Sequence, residues 1–239
     1  MAITYDTDAY GVSDAATTTV GITVANNTNR ILVALIGLGN STGASQISSV
    51  VFNGSESFTA IGTISDNGED EACDIWYLVN PTATTANVVV TYDGTPDASV
   101  NVVSLYGVDQ SDPIGTIAQS NALDGEGSTD WTTNITTDTA NSWLLDVVNF
   151  GYYNDTGIPD AGQTELRDAE GGSGAGLYRH YSSYRSCTTA QQYGMGWLTS
   201  GDPDTDARSQ LIVEIHDADG GGGTVIKDII GNGFIPAPR

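Results

Sequence analysis

Apolar residues along the chain recur at every second position or in short unbroken runs, and almost nowhere at the spacing of a helix face. That pattern predicts strands rich in Val, Ile, Thr and Tyr. They are Thr17–Val24, Arg30–Leu38, Ser48–Phe52, Phe58–Ile64, Cys73–Val79, Asn87–Tyr92, Ser99–Tyr106, Ser142–Phe150, Gly176–Tyr184, Tyr193–Leu198 and Gln210–His216. Turn-forming clusters separate them, such as Asn26–Asn29, Asp66–Asp70, Asp93–Asp97, Asp124–Asp130 and Gly201–Asp206. Short strands at this spacing, with 29 glycines and hardly a helix signal, predict an all-β fold: a two-sheet antiparallel jelly-roll, concanavalin-like sandwich. In a Greek-key arrangement the last strand, Gln210–His216, is expected to pair near the N-terminal one. Asn121–Asp130 and Gly151–Gly162 are expected to be long exposed loops, suited to surface contacts.

No boundary is legible before His216, which gives a sandwich over 1–217, a glycine-rich linker over 218–223 and an apolar tail over 224–239. From Gly220 onward Lys227 and Arg239 stand against Asp228, a charge of +1, which leaves −24 for the rest of a chain whose total is −23. The tail presents Val225, Ile226, Ile229, Ile230, Phe234 and Ile235. Two readings are open: these residues dock on a neighbouring subunit, or they fold back over their own sheet edge.

With 7 basic against 30 acidic side chains the surface repels phosphates, which argues against nucleic acid or an anionic bilayer as partner and admits cations or a basic protein. Only 15% of residues are charged and 39% are hydrophobic, a globular rather than a disordered composition. No run approaches the roughly 18 apolar residues of a membrane span. The first fifteen residues carry Asp6, Asp8 and Asp14 with no basic residue, so no secretory signal is read there. Cys73 and Cys187 form either one disulfide or two buried free thiols.

Candidate chemistry is sparse. His180 and His216 are the only histidines, no G-x-S-x-G elbow is present, and Cys187 lies in Arg–Ser–Cys–Thr–Thr without a catalytic signature. Strand-face histidines and core thiols are the plain reading. A glycosidase pair is defined by a separation in space that the sequence does not supply. Gly37–Gly43 lacks the spacing, lysine and following helix of a phosphate cradle. Asp202, Asp204 and Asp206, at alternate positions, could wrap Ca²⁺ with oxygen ligands, although the central Gly and distal Glu of an EF-hand are missing. Asp66–Glu71 and Asp217–Asp219 are further acidic loops, and no Cys/His spacing suggests zinc. Tyr178, Tyr181, Tyr184 and Trp197, with Arg179 and Arg185 among them, could form a glycan-stacking platform, a protein interface, or a packed sheet face.

Several strand and turn phrases occur together in order: Asn29–Arg–Ile–Leu–Val33, Val51–Phe–Asn–Gly54, Trp76–Tyr–Leu–Val–Asn–Pro81, Val88–Val–Val–Thr–Tyr92, Tyr106–Gly–Val–Asp–Gln110 with Pro113–Ile–Gly115, Gly162–Gln–Thr164, and Glu214–Ile215. Over Thr17 to His216 their order resembles a broad, poorly characterised family of β-sandwich domains found in tailed-phage virion proteins and in bacterial and archaeal surface proteins. The resemblance implies display, attachment or assembly, and it carries no catalytic residue. Joined to the unread export signal, it leads to the expectation of a non-enzymatic virion structural protein. Such a protein would be a head decoration, turret or fibre at the particle surface, homo-oligomeric and held to other virion proteins by its tail. A glycan-binding attachment module on a tail or cell surface is the alternative, and a polysaccharide-degrading enzyme the third. No cofactor is expected beyond Ca²⁺.

Overall fold

The computed structural model describes residues 1–39, 46–65, 71–122, 130–151, 156–171, 178–199 and 207–219. Among them there are seventeen strands and no helix. The first nine are β1 (Thr4–Ser13), β2 (Thr17–Thr23), β3 (Ile31–Gly39), β4 (Ile47–Phe52), β5 (Glu56–Ser57), β6 (Thr59–Ser65), β7 (Ala72–Val79), β8 (Thr85–Tyr92) and β9 (Asp97–Tyr106). The other eight are β10 (Ile114–Ala122), β11 (Asp130–Thr136), β12 (Ser142–Phe150), β13 (Gly157–Pro159), β14 (Thr164–Gly171), β15 (Tyr178–Cys187), β16 (Gln192–Thr199) and β17 (Arg208–Ile215).

They form four antiparallel sheets. Sheet I has the order β1-β9-β3-β7-β6 and sheet II β2-β8-β4-β5; sheet III has β10-β17-β12-β15-β14 and sheet IV β11-β16-β13. Read side by side, sheets I and III have one topology, with β1, β9, β3, β7 and β6 answering to β10, β17, β12, β15 and β14. Sheets II and IV match likewise, except that β5 has no counterpart. The antiparallel sandwich is as the alternation predicts, and it occurs twice. The stretch expected to be one sandwich over 1–217 holds two topologically equivalent units, joined between Tyr106 and Ile114.

Register fixes the equivalence residue by residue. Ile31 faces Leu105 and Val79 as Trp143 faces Ile215 and Ser186. Val24 N–H donates to Thr84 O at 2.9 Å as Thr137 N–H donates to Gln191 O at 3.0 Å. Asn29 and Asn141, at equivalent positions before the central strands, have φ of 59° and 60°, in the left-handed region that asparagine tolerates better than most residues. Both first strands also carry a bulge at the same place, between Tyr5 and Thr7 in β1 and between Ile114 and Ile117 in β10.

The layers stack in the order II, I, III, IV. Leu32, Ala34, Ile36 and Leu38 of β3 meet Val20, Val50, Val88 and Val90 of sheet II. The intervening Ile31, Val33 and Leu35 meet Leu145, Val147, Leu211 and Val213 of sheet III. Sheet III in turn uses its other face, including Leu144, Val148 and Phe150, against Ile135, Met195 and Trp197 of sheet IV. Because β3 is covered on both faces, all nine of its residues are buried, which is why it reads as an unbroken apolar run. The two units meet through sheets I and III, where β3 lies on β12, β6 meets β17 and β10, and β14 meets β9.

The last strand does not pair with the N-terminal one. β17 lies between β10 and β12, as β9 lies between β1 and β3, so each unit closes on itself. Ile158 of β13 and Pro159 fall inside the segment expected to be a loop over 151–162. Asn121 and Ala122 likewise end β10, and Asp130 opens β11.

Candidate metal centre

Tyr178, Tyr181 and Trp197, read as a glycan or interface surface, are core residues. Tyr181 and Trp197 stack at 5.0 Å between sheets III and IV, and the Tyr178 hydroxyl donates to Gly37 O at 3.0 Å between the two units. Tyr184 is half-buried and stacks on Trp143 at 4.6 Å. The strand alternation that separates these rings onto two faces turns both faces inward, because sheet III is covered on both sides. Asp202, Asp204 and Asp206, and the tail residues Val225, Ile226, Ile229, Ile230, Phe234 and Ile235, lie outside the described residues. Cys73 and Cys187 are free and buried. Burial pushes the Cys187 thiol up to about 11, so it is protonated and weakly nucleophilic at neutral pH.

Two polar clusters are sealed inside. Between the units, Ser99 Oγ lies 2.8 Å from His180 Nδ1, and Asn101 Nδ2–H donates to Ser182 Oγ at 3.1 Å. His180 is fully buried, and desolvation together with the nearby Arg167 charge lowers its pKa to about 3. The imidazole is therefore neutral and out of reach of any substrate. Between sheets III and IV, Asp146 is also fully buried. Its carboxylate accepts from Ser183 N–H at 2.8 Å, Ser183 Oγ–H at 2.6 Å, Trp197 Nε1–H at 2.9 Å and Gln210 Nε2–H at 3.0 Å. Burial raises its pKa, and these donors partly offset that rise.

A third cluster, at the end of β17, reaches the surface. Glu214 and His216 stand two residues apart, so the strand sends both to one side. Glu214 is fully buried. Its Oε2 accepts from Asp138 N–H at 2.8 Å and Thr116 N–H at 3.2 Å, and Oε1 from Thr139 N–H at 3.2 Å. The side chain thus ties the β10 bulge and the turn before β12 to β17. His216 Nδ1 lies 2.9 Å from the Asp112 carbonyl. A carbonyl only accepts, so Nδ1 carries the hydrogen and, in the neutral ring, Nε2 is left with its lone pair. That atom has no hydrogen-bond partner, and its nearest carboxylate oxygen, Glu214 Oε2, is 4.0 Å away. The exposed Asp138 carboxylate completes the group, with the three ligand atoms within 4.8 Å of one another. Gly115, in the β10 bulge, faces them; a Cβ there would collide with His216 Nε2 and Glu214 Oε2.

Glu214-x-His216 is a visible pair in sequence once β17 is recognised as a strand. Asp138 and Gly115 are not, since only the fold brings the β11–β12 turn and the β10 bulge to the end of β17. Of the acidic loops singled out earlier, Asp219 pairs with the N-terminal ammonium group, and Asp217 forms a bridge with Val108. No family model, curated protein or solved structure matches this chain. The resemblance to the virion and surface sandwiches rests on the order of the strand phrases alone.

Proposed function

We propose that this protein is a non-enzymatic structural component of a tailed virus, exposed on the particle as a head decoration, turret or fibre and held to other virion proteins through residues 224–239. The observation that carries this reading is that, apart from the Asp138, Glu214 and His216 cluster, the candidate reactive groups among the described residues lie inside. His180, Cys73 and Asp146 are enclosed between sheets, and Cys187 is a buried, protonated thiol. The outward residues of β2, by contrast, are Thr17, Thr19, Gly21 and Thr23, a neutral polar face that needs no partner to stay dissolved. On sheet IV the cross-strand pair Ile158 and Leu198 is exposed at 64% and 46%, a small apolar contact point on an otherwise polar face. A glycan platform at Tyr178–Trp197 loses its motive, because three of its four rings are interior.

Deleting residues 224–239 tests the reading. The truncated chain is expected to keep its strand content by circular dichroism and to lose binding to purified particles. Absence of the protein from those particles by mass spectrometry, or breakdown of host capsule by the full chain, would overturn it.

A further inference from the structure

We propose that Asp138, Glu214 and His216 bind one divalent transition-metal ion of the zinc class. The proposal stands apart from the virion reading and does not need it. An acidic pair alone would be a solvated or loop-bracing feature, and Glu214 does brace two loops. What points to a ligand is His216. Its side chain is 6% exposed, its Nε2 has no hydrogen-bond partner, and it is aimed at a buried carboxylate across 4.0 Å. That gap is too long for a hydrogen bond. A lone pair facing a carboxylate is repelled unless a positive centre lies between them.

The surroundings suit a metal rather than a proton. The contact from Nδ1–H to a backbone carbonyl is the usual outer support of a metal-bound imidazole, fixing the tautomer and the ring. The Glu214 carboxylate is likewise held by three backbone N–H groups. Two of the three donors are therefore oriented before any ion arrives, and the exposed Asp138 is free to swing in as the third. Two oxygens and one imidazole nitrogen are a borderline donor set, which favours Zn²⁺ and its neighbours over Ca²⁺ or Mg²⁺. Bound ligands lie about 2.0–2.2 Å from zinc, so the donors need to draw inward from their present separations, a movement Asp138 can supply. Gly115 keeps the space open, since any side chain there would occupy it.

Among the described residues the first unit has no such site. Ser104, Tyr106 and Ala25 occupy the positions of Glu214, His216 and Asp138. The ion would fasten the end of β17 to the turn between β11 and β12, and so join sheet III to sheet IV.

The test uses the full chain, stripped with chelator and titrated with Zn²⁺ by calorimetry in excess Mg²⁺, which occupies the many solvated carboxylates. One tight equivalent is expected, with zinc raising the melting temperature. Asp138→Ala, an exposed change that leaves its backbone N–H in place, should weaken binding by more than about tenfold and abolish the thermal shift without altering the metal-free melting temperature. His216→Gln and Gly115→Ala should also lose the site, and the His216 ring nitrogens should shift in ¹⁵N spectra only when zinc is added. Zinc uptake equal in the wild type and Asp138→Ala, uptake fully suppressed by Mg²⁺, or unchanged His216 nitrogens would each overturn the proposal.

Discussion

The two units share a fold and differ in what fills it. Between sheets I and II, Ala34, Trp76, Val90 and Val100 stand together in a largely apolar interior, whose buried polar groups lie elsewhere: Asp74, bonded to Thr63, and the Tyr92 hydroxyl, which donates to Thr18 Oγ1 at 2.7 Å. At the same four positions between sheets III and IV stand Asp146, Ser183, Trp197 and Gln210, joined by hydrogen bonds. The same strand order thus places apolar side chains at these four positions in one copy and a hydrogen-bonded carboxylate with its donors in the other. A related exchange occurs at the β11–β12 turn. In the first unit Asp6, from the β1 bulge, accepts from Ala25 N–H at 3.1 Å. In the second, Glu214 of the last strand accepts from the equivalent Asp138 N–H at 2.8 Å. The backbone donor that has to be satisfied stays put, while the carboxylate that satisfies it changes strand. The architecture is therefore set by pleat, strand order and backbone demand, and leaves the core chemistry free to diverge.

The largest test of this contrast is Asp146→Ala, which removes the buried acceptor of Trp197 Nε1–H and Ser183 N–H and one of the two acceptors of the Gln210 amide. Urea unfolding is expected to show a loss of about 3 kcal/mol or more. Asp146→Ala combined with Trp197→Phe and Gln210→Val, which also removes the side-chain donors left stranded, should recover part of that loss. A triple variant as unstable as the single one would mean that the polar group is required by the fold.

A medium effect is expected from His180, which occupies the position of Cys73 in the first unit. Its folded pKa, about 3, is below the ordinary imidazole value of 6.5. Between these values the unfolded chain binds a proton that the folded one refuses, so stability falls as the pH drops, by up to about 1.4 kcal/mol per pH unit. Asp146 acts in the opposite sense, because its raised pKa makes ionisation costly and acidification relieves that cost. Comparing urea midpoints of the wild type and His180→Gln from pH 7 to pH 4 isolates the histidine, and parallel curves would exclude it as the acid-sensitive group. The smallest effect concerns Asn29→Ala and Asn141→Ala. Each should cost about 1 kcal/mol through its left-handed φ, equally in both units, while glycine at either place is close to neutral. Unequal losses would break the equivalence of the turns.

Much of the fold is legible in the alternation, and the parts that are not share a cause. Each of the eleven expected strands coincides with a real one, whereas β1, β5, β10, β11, β13 and β14 were not foreseen. All six are sheet edges. An edge strand covers little core and carries the charges that discourage further pairing, as Asp6 and Asp8 do in β1 and Arg167 and Asp168 in β14, so its apolar period is faint. The duplication is hidden for another reason. The offset between equivalent residues is 112 from Ile31 to Trp143, 107 from Val79 to Ser186 and 110 from Leu105 to Ile215, so no single period aligns the copies. At the candidate metal centre the strand pair Glu214 and His216 could be read, but its partner came from a turn whose position only the tertiary fold determines.

The contact between sheets I and III has one more consequence. β3 lies on β12, and β6 meets β17 as β14 meets β9, so each unit offers the other much the same surface, as the two halves of a twofold dimer do. Here the partners are joined by the few residues between Tyr106 and Ile114, which makes their association intramolecular. Dilution, which separates ordinary dimers, has no leverage on this one, and the pair should persist intact at concentrations where a free dimer would fall apart.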